Sequence, residues 1–311
     1  MKLVLGTMNF GPQLDLKQSQ EMVQEFLRTG NKELDTAYVY NGGDTENYLG
    51  RILPFESGFE IATKVHPRIT GKLDRETILM EFNESLKRMN RKSVDLLYFH
   101  FPDGKTPIEE ALETVGELYS EGKIKELGLS NYPAWQVVDI YYKCEKTNCP
   151  KPTVFQGMYN AVCRNVEPEL IPAIRQLGMR FYAFNPLAGG LLTGKHLHYD
   201  ETPEPGRFAR LKSYRDRYWK NSYFKAVDEI RKVCESVNIP MAEAAYRWLA
   251  FDSMMDGEKG DAIIIGASKL PQMEQNMRSL DEGPLPENVI NAFNKAWEIA
   301  KPESPAYFKF I

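Results

Sequence analysis

The 311-residue sequence predicts an α/β fold, a closed (β/α)8 TIM barrel, from three observations. Eight short apolar runs rich in β-branched and aromatic residues recur along the chain, amphipathic stretches fill the intervals, and no GxGxxG follows the first run. Strands that alternate with helices pair in parallel through right-handed crossovers, so eight such units favour a closed barrel. A doubly wound sheet is the alternative, but "LGTMNFG" has the wrong glycine spacing for a dinucleotide-binding turn.

The predicted strands, in chain order, are "KLVLGT", "ELDTA", "FEIATKV", "VDLLYFHF", "KELGLSN", "TVFQGMYN", "RFYAFNP" and "DAIIIGAS". The stretch 74–90 is typical of the helices between them, because its apolar residues recur at helical spacing behind an acidic start. The interval between the seventh and eighth strands is the longest. There, 189–220 predicts an exposed loop, rich in Gly, Pro, Arg and aromatic residues, and 222–251 predicts two extra helices. The tail after the eighth unit predicts a C-terminal helix and an aromatic end.

Composition limits the class of protein. With 42% hydrophobic residues and no low-complexity linker, the chain predicts a single barrel domain over 1–311. Its 43 acidic and 39 basic side chains are mixed along the sequence, so no basic stripe exists for nucleic acid. No apolar run reaches the roughly 18 residues of a membrane span, and "MKLVLGTMNFG" is too short for a signal segment.

The four cysteines form no CxxC pair and have no histidine at metal-ligand spacing, which favours reduced, packed thiols. These features predict a soluble, cytoplasmic protein without a bound metal. The cysteines are Cys144, Cys149, Cys163 and Cys234.

Four polar residues lie where predicted strands end, and in a barrel these ends meet at one rim. They are Asp35, Tyr40, Lys64 and His100. Each has a purely structural alternative: a helix cap, surface packing, a lysine that reaches solvent, and a satisfied core histidine. Together they make chemical sense, because a tyrosine with a pKa of about 10 needs a nearby cation to act at neutral pH. Lys64 supplies that cation, and Asp35 on the neighbouring strand is its natural counter-ion.

The four residues resemble the catalytic tetrad of the aldo-keto reductases. The similarity extends along nearly the whole chain, and the stretches "HFPD", "QGMYNA" and "FNPLAGGLLTGK" are specific to the aflatoxin aldehyde reductase and succinic semialdehyde reductase branch. This resemblance implies NADPH-dependent reduction of aldehydes and some ketones. It implies that Tyr40 is the general acid, Lys64 lowers its pKa, Asp35 holds Lys64, and His100 orients the carbonyl.

The resemblance also implies an NADPH site along the rim. Ser130, Asn131 and Gln156 match the residues that hold the carboxamide, Phe184 stacks on the nicotinamide or packs the barrel, and a glycine-rich loop approaches the pyrophosphate. Ser268 precedes a short helix whose N-terminus suits a phosphate. Gln272 stands where many relatives carry an arginine for the 2′-phosphate, which leaves Lys269, or Arg207, as the nearby cation. The remaining residues implied for the cofactor are Asn185, Pro186, Leu187, Gly189, Gly190, Gly194, Lys195, Gln275 and Asn276.

Substrate choice is assigned to Met8, the 189–220 loop and the aromatic tail. In this branch Tyr214 and Arg217 match positions that face the substrate, beside Tyr40 and His100. An arginine fork suits a carboxylate, which points to carboxylated or dicarbonyl aldehydes such as succinic semialdehyde; a solvated loop arginine is the alternative. The branch also implies a homodimer. Two other functions stay open: a cofactor-binding regulatory subunit resembling potassium-channel β subunits, and a barrel hydrolase using His100 and Asp35.

Overall fold

The computed structural model describes residues 1–56, 58–201 and 206–309. Its centre is a closed barrel of eight parallel strands in sequence order, and the first strand pairs with both the second and the eighth. The strands are β1 (Lys2–Gly6), β2 (Glu33–Asp35), β3 (Glu60–Val65), β4 (Leu96–Phe99), β5 (Glu126–Ser130), β6 (Pro152–Met158), β7 (Arg180–Phe184) and β8 (Ala262–Ile265). The predicted (β/α)8 barrel is confirmed, and the doubly wound sheet is excluded.

Helices surround the barrel. In the described ranges they are α1 (Leu16–Arg28), α2 (Asp44–Ile52), α3 (Arg75–Arg88), α4 (Ile108–Ser120), α5 (Ala134–Lys143), α6 (Leu170–Gln176), α7 (Arg207–Arg210), α8 (Lys212–Tyr218), α9 (Asn221–Ser236), α10 (Met241–Arg247), α11 (Leu270–Arg278) and α12 (Glu287–Ala300). The sequence sets helix starts locally: Asp15 and Asp74 each accept a hydrogen bond from a backbone N–H in the first turn of α1 and α3. None of the helices described is long and apolar enough to cross a membrane.

Side chains alternate along each strand, so every second residue points into the barrel. The lower interior is apolar, and Tyr98 fills much of it because it packs against Gly128, where a Cβ would lie only 2.4 Å from the tyrosine ring. The interior cluster consists of Val4, Ala62, Leu96, Tyr98, Val154, Tyr182, Ala262 and Ile264. Two residues beyond Ala62, Val154 and Tyr182 stand Lys64, Gln156 and Phe184, so the same alternation that builds the core brings these side chains to the C-terminal rim.

The long segment between β7 and β8 differs from its prediction. The two extra helices expected over 222–251 are present as α9 and α10, with a π-helical extension over Trp248–Asp252. Residues 189–220 are not simply an exposed loop, because α7 and α8 bury Phe208, Tyr214 and Tyr218. Tyr214 and Tyr218 lie four residues apart on one face of α8, which explains why this segment folds onto the barrel. Residues 202–205 of that predicted loop lie outside the described residues.

The C-terminal helix is α12, as predicted, and the chain after it turns back towards the barrel. The Tyr307 hydroxyl accepts a hydrogen bond from the Ala134 backbone N–H, and the Lys309 N–H donates to the Asn131 carbonyl. These contacts fasten the tail beside the rim. Residue 310, part of the predicted aromatic end, lies outside the described residues.

Candidate active site

A buried ion pair lies at the centre of the C-terminal rim. The Lys64 Nζ lies 2.6 Å from both carboxylate oxygens of Asp35 and donates to the Thr36 carbonyl at 2.7 Å. The Gln156 amide donates to Asp35 Oδ1 at 2.8 Å. Because β2 and β3 are neighbours in register, the sequence positions Asp35 and Lys64 as the predicted counter-ions. Such a pair is tolerated in a dry interior only because both charges are fully hydrogen-bonded.

Tyr40 lies beside this pair, in a short 3₁₀ turn over Tyr40–Gly43 that follows β2. The Lys64 Nζ is 5.1 Å from the centre of the tyrosine ring. Burial raises the pKa of Tyr40 well above its ordinary value, the Asp35 carboxylate adds to this rise, and Arg207 opposes it. The charge of Lys64 is largely compensated by Asp35, so the predicted lowering of the Tyr40 pKa does not dominate. The phenol therefore stays protonated at neutral pH, as a proton donor requires.

His100 follows β4 and completes the group. Its ring meets Tyr40 edge-on with ring centres 5.9 Å apart. Burial and the neighbouring Lys64 hold the pKa of His100 well below its ordinary value, so the imidazole is neutral. Its Nδ1 is buried, which leaves Nε2 as the nitrogen available to a ligand in the cavity. The structure thus brings the four predicted catalytic side chains together, with Lys64 lying behind Asp35 rather than on the cavity surface.

A cavity of about 940 Å³ opens above these residues. It is much larger than a small aldehyde needs and lies in the size range of cofactor and drug-sized ligand sites. All six residues predicted to face the substrate line it: Met8, Tyr40, His100, Arg207, Tyr214 and Arg217. So do fourteen of the sixteen residues predicted for the cofactor: Ser130, Asn131, Gln156, Phe184, Asn185, Pro186, Leu187, Gly189, Gly190, Lys195, Ser268, Gln272, Gln275 and Asn276.

Two predicted cofactor residues do not line the cavity. Lys269 is the N-cap residue of α11 and its side chain is exposed, so it contributes no surface to the cavity. Gly194 ends the 3₁₀ turn after β7, and a Cβ there would lie 3.3 Å from the Met241 side chain, which covers this position. Among the described residues, the aromatic tail also fails to reach the cavity, because Tyr307 turns towards α5. The described part of the tail, up to residue 309, therefore contributes no surface to this cavity, although the sequence suggested that it faces the substrate.

The polar groups near Asp35 fit a carboxamide, which needs one hydrogen-bond donor and one acceptor. The Asn131 amide donates to the Ser130 hydroxyl oxygen, which leaves the hydroxyl hydrogen free to donate. The Gln156 amide nitrogen is held by Asp35, which leaves its carbonyl oxygen as an acceptor at the cavity. With Phe184 half-buried beside them, these residues fit a nicotinamide ring and its amide.

The loop after β7 and the start of α11 fit a phosphate-bearing ligand. Asn185, Ala188, Gly189 and Gly190 all have positive φ angles, a backbone form that turns N–H groups towards one side. A Cβ at Gly189 would lie 2.8 Å from the Tyr214 ring, so only glycine fits under that side chain. At the start of α11, the Gln272 side-chain oxygen accepts from the Ser268 hydroxyl at 3.0 Å. The residues at the start of α11 contribute neutral, polar groups to the cavity.

Three arginines line the cavity, and none has a carboxylate partner among the residues the structure describes. Arg207 donates to the Asn9 side chain at 2.8 Å and lies 5.1 Å from the Tyr214 ring centre. Arg217 lies between the rings of Tyr214 and Tyr218, at 5.5 and 5.8 Å. Cations held by aromatic faces, without a protein counter-ion, suit an anionic ligand.

The third arginine, Arg68, and the adjacent His66 are cavity residues that sequence reasoning missed. The sequence did contain a sign of His66. Every second residue of β3 points into the barrel, and His66 follows Ala62 and Lys64 in that series. Asn9 was also missed. It follows the first strand and holds Arg207, a contact between distant parts of the chain that no local pattern reveals.

The fold and the rim define a (β/α)8 enzyme with a polar reaction cavity. Residues 2–298 match the model of the Aldo/keto reductase family. The chain is 44% identical to the mouse protein "Aflatoxin B1 aldehyde reductase member 2", covering 98% of this chain and 87% of the relative. It is 42% identical to the human "Aldo-keto reductase family 7 member A3", covering 98% and 96%. The chain therefore belongs to the aldo/keto reductase family: it is an oxidoreductase that uses a nicotinamide cofactor.

Proposed function

We propose that this protein reduces aldehydes, and some ketones, to alcohols with NADPH, as a cytoplasmic homodimer whose single domain spans residues 1–311. The observation that carries the proposal is the convergence of Tyr40, His100 and the Lys64–Asp35 pair below a cavity with a carboxamide-binding group. The names of the similar aldehyde reductases support the substrate class. The hydrolase alternative is disfavoured because Lys64 and Gln156 already occupy Asp35.

When bound, NADPH would supply a hydride for the carbonyl carbon, and the residues of this chain act on the carbonyl oxygen, where negative charge develops. Tyr40 donates its proton to that oxygen. His100, neutral and free at Nε2, donates a second hydrogen bond that orients the carbonyl. Lys64 stands next to the phenol and stabilises the charge left on Tyr40 after proton transfer, while the Asp35 carboxylate opposes this and favours the protonated phenol.

The direct test mixes the protein with NADPH and 4-nitrobenzaldehyde and follows the absorbance of the reduced nicotinamide. Turnover supports the proposal. Cofactor binding without turnover on any aldehyde would instead favour a regulatory subunit, and no cofactor binding would contradict both functions.

The pH profile should be flat across the neutral range. The proton donor is active below the pKa of Tyr40, which burial raises above its ordinary value, so no alkaline loss is expected up to about pH 9. His100 is active when neutral, and its lowered pKa removes an acidic loss down to about pH 6. We expect kcat/KM for 4-nitrobenzaldehyde to vary less than about threefold over this range. A bell-shaped profile centred within it would contradict these assignments.

Cofactor selectivity is assigned to Lys269, the cation adjacent to Ser268 in the chain. Its side chain is exposed in the structure and can swing towards a 2′-phosphate near α11. We expect Lys269→Ala to weaken NADPH binding about tenfold and to leave NADH unchanged, because only NADPH carries that phosphate. Lys195→Ala is the matched control: Lys195 lines the cavity near the pyrophosphate loop, so it should weaken both cofactors alike. Fluorescence titration measures both. Equal effects of Lys269→Ala on the two cofactors would reassign the 2′-phosphate contact to Arg207.

Substrate preference is assigned to Arg217, which we propose binds the carboxylate of substrates such as succinic semialdehyde. Arg217→Ala should raise KM for succinic semialdehyde about tenfold or more, the equivalent of about 1.4 kcal/mol, and barely change KM for 4-nitrobenzaldehyde. Arg217→Lys should recover only part, since an ammonium lacks the paired donors of a guanidinium. If both substrates respond alike, the carboxylate contact belongs to another residue, and Arg68 and Arg207 are the remaining cavity arginines.

A further inference from the structure

Two histidines lie in contact at the base of the cavity, and only one of them has a role so far. His66 follows β3 and His100 follows β4, so the pairing of these strands places them side by side. The His100 backbone N–H donates to the Val65 carbonyl at 3.0 Å. Their rings meet edge-on, with centres 4.8 Å apart and planes at 72°.

The proton position on His66 follows from one backbone contact. The Arg68 backbone N–H donates to His66 Nδ1 at 2.9 Å, so Nδ1 must be the unprotonated nitrogen. Burial lowers the pKa of His66 to about 3 and Arg68 adds to this, so the ring is neutral and carries its proton on Nε2. This Nε2–H is buried and has no acceptor among the described residues.

His100 carries a nitrogen that could accept this hydrogen bond. To donate to a substrate carbonyl it must carry its proton on Nε2, and Nδ1 then becomes an acceptor. In the structure that Nδ1 is buried and has no donor among the described residues. The two rings in contact are therefore complementary. Among the described residues, the buried donor His66 Nε2–H has no acceptor, and the buried acceptor His100 Nδ1 has no donor. An unmade buried hydrogen bond is costly, which favours its formation between these two rings.

We infer that His66 is a positioning residue: its Nε2–H donates to His100 Nδ1 in the cofactor-bound protein and thereby holds His100 as the Nε2–H tautomer that faces the carbonyl. This inference rests on the proposed role of His100. With ring centres 4.8 Å apart, rotation of the His100 ring can bring the two nitrogens within hydrogen-bond distance. The competing acceptor is Glu81 Oε1, which is also buried and has no hydrogen-bond partner among the described residues. Glu81 contacts His66 through its other oxygen, however: Oε2 accepts from the His66 backbone N–H at 2.7 Å. The ring contact favours His100.

The test uses nuclear magnetic resonance of the full-length protein with ¹⁵N-labelled histidine and NADP⁺. The chain has only four histidines, so assignment by single substitution is direct. We expect a ¹⁵N–¹⁵N coupling across the hydrogen bond from His66 Nε2 to His100 Nδ1, and a single Nε2–H tautomer of His100. His66→Phe should leave His100 as a mixture of tautomers. His66→Gln should restore one tautomer, because the glutamine amide nitrogen takes the place of Nε2.

Kinetics give a second readout. His66→Phe should lower kcat for 4-nitrobenzaldehyde about tenfold without weakening NADPH, and His66→Gln should recover most of it. Absence of the coupling in the wild type overturns the inference, as does a change of the His66 Nε2 signal in Glu81→Gln with none in His100→Asn. A raised KM with unchanged kcat would place His66 on the substrate instead and also overturn it. If the wild type reduces no aldehyde, the proposed function fails, but the ¹⁵N–¹⁵N coupling and the tautomer of His100 still show whether the hydrogen bond forms.

Discussion

Tyr40→Phe is expected to abolish most carbonyl reduction while leaving cofactor binding intact. The substitution keeps the ring, which packs beside Lys64 and His100, and removes only the hydroxyl that donates the proton. Loss of a general acid lowers rates by a factor of about 10² to 10⁴, and we expect kcat for 4-nitrobenzaldehyde to fall in that range. Steady-state kinetics measure kcat, and fluorescence titration measures the NADPH dissociation constant, which should stay within about twofold.

The matched control for this variant is Tyr214→Phe. Tyr214 also lines the cavity, but its hydroxyl already donates to the Asn185 side chain at 3.1 Å. Loss of that neutral hydrogen bond should cost less than about tenfold in kcat. If Tyr40→Phe and Tyr214→Phe reduce turnover equally, or if Tyr40→Phe keeps most of its activity, Tyr40 is not the proton donor.

Much of this site could be predicted from the sequence because it is built on strands. The eight apolar runs fixed the barrel, and the alternation along each strand carries Lys64, Gln156 and Phe184 to the rim two residues beyond a buried apolar residue. The pairing of Asp35 with Lys64 follows from neighbouring strands and from the high cost of an isolated buried charge. For these residues, position in the chain almost determines position in the fold.

Prediction was poorer where tertiary contacts decide the structure. The segment 189–220 has the composition of a loop, but Tyr214 and Tyr218 bury themselves against the barrel and form α8. The electrostatic balance at Tyr40 depends on burial and on Asp35 and Arg207, none of which a motif can weigh. Asn9 and Arg207 are nearly two hundred residues apart in the chain, a separation that local pattern reading cannot bridge.

Lys64→Met should have the second large effect, and on stability as well as activity. Lys64 is fully buried, and its removal leaves the Asp35 carboxylate with only the Gln156 amide as a described side-chain partner. Breaking a buried ion pair by removing one partner typically costs about 3–5 kcal/mol, and we expect a loss of this size in the free energy of unfolding measured with urea. Turnover should fall at least as far as in Tyr40→Phe, because the phenol loses its neighbouring cation.

Two further variants test whether the stability loss comes from breaking the buried Lys64–Asp35 pair or simply from removing a lysine. Lys125→Met removes an aspartate–lysine pair on the surface, at 2.6 Å from Asp95, and should cost under about 1 kcal/mol because that lysine is mostly exposed. Asp35→Asn combined with Lys64→Met removes both charges, so it should recover most of the stability but none of the activity. Recovery of turnover in the double variant would show that the pair acts only by supporting the fold.

The pH dependence of the stability lost in Lys64→Met tests whether an unpaired, negatively charged Asp35 causes the loss. Without Lys64, burial should raise the pKa of Asp35 above its unfolded value of about 4. When the pKa of a group is higher in the folded state than in the unfolded state, its stabilising contribution is fully present at pH values below the unfolded-state pKa. That contribution is lost as the pH rises through the folded-state pKa. The stability deficit of Lys64→Met relative to the wild type should therefore be largest at neutral pH and shrink as pH falls towards about 4. A deficit that stays constant over this range would mean that lost packing of the lysine stem, rather than an uncompensated Asp35 charge, destabilises the variant.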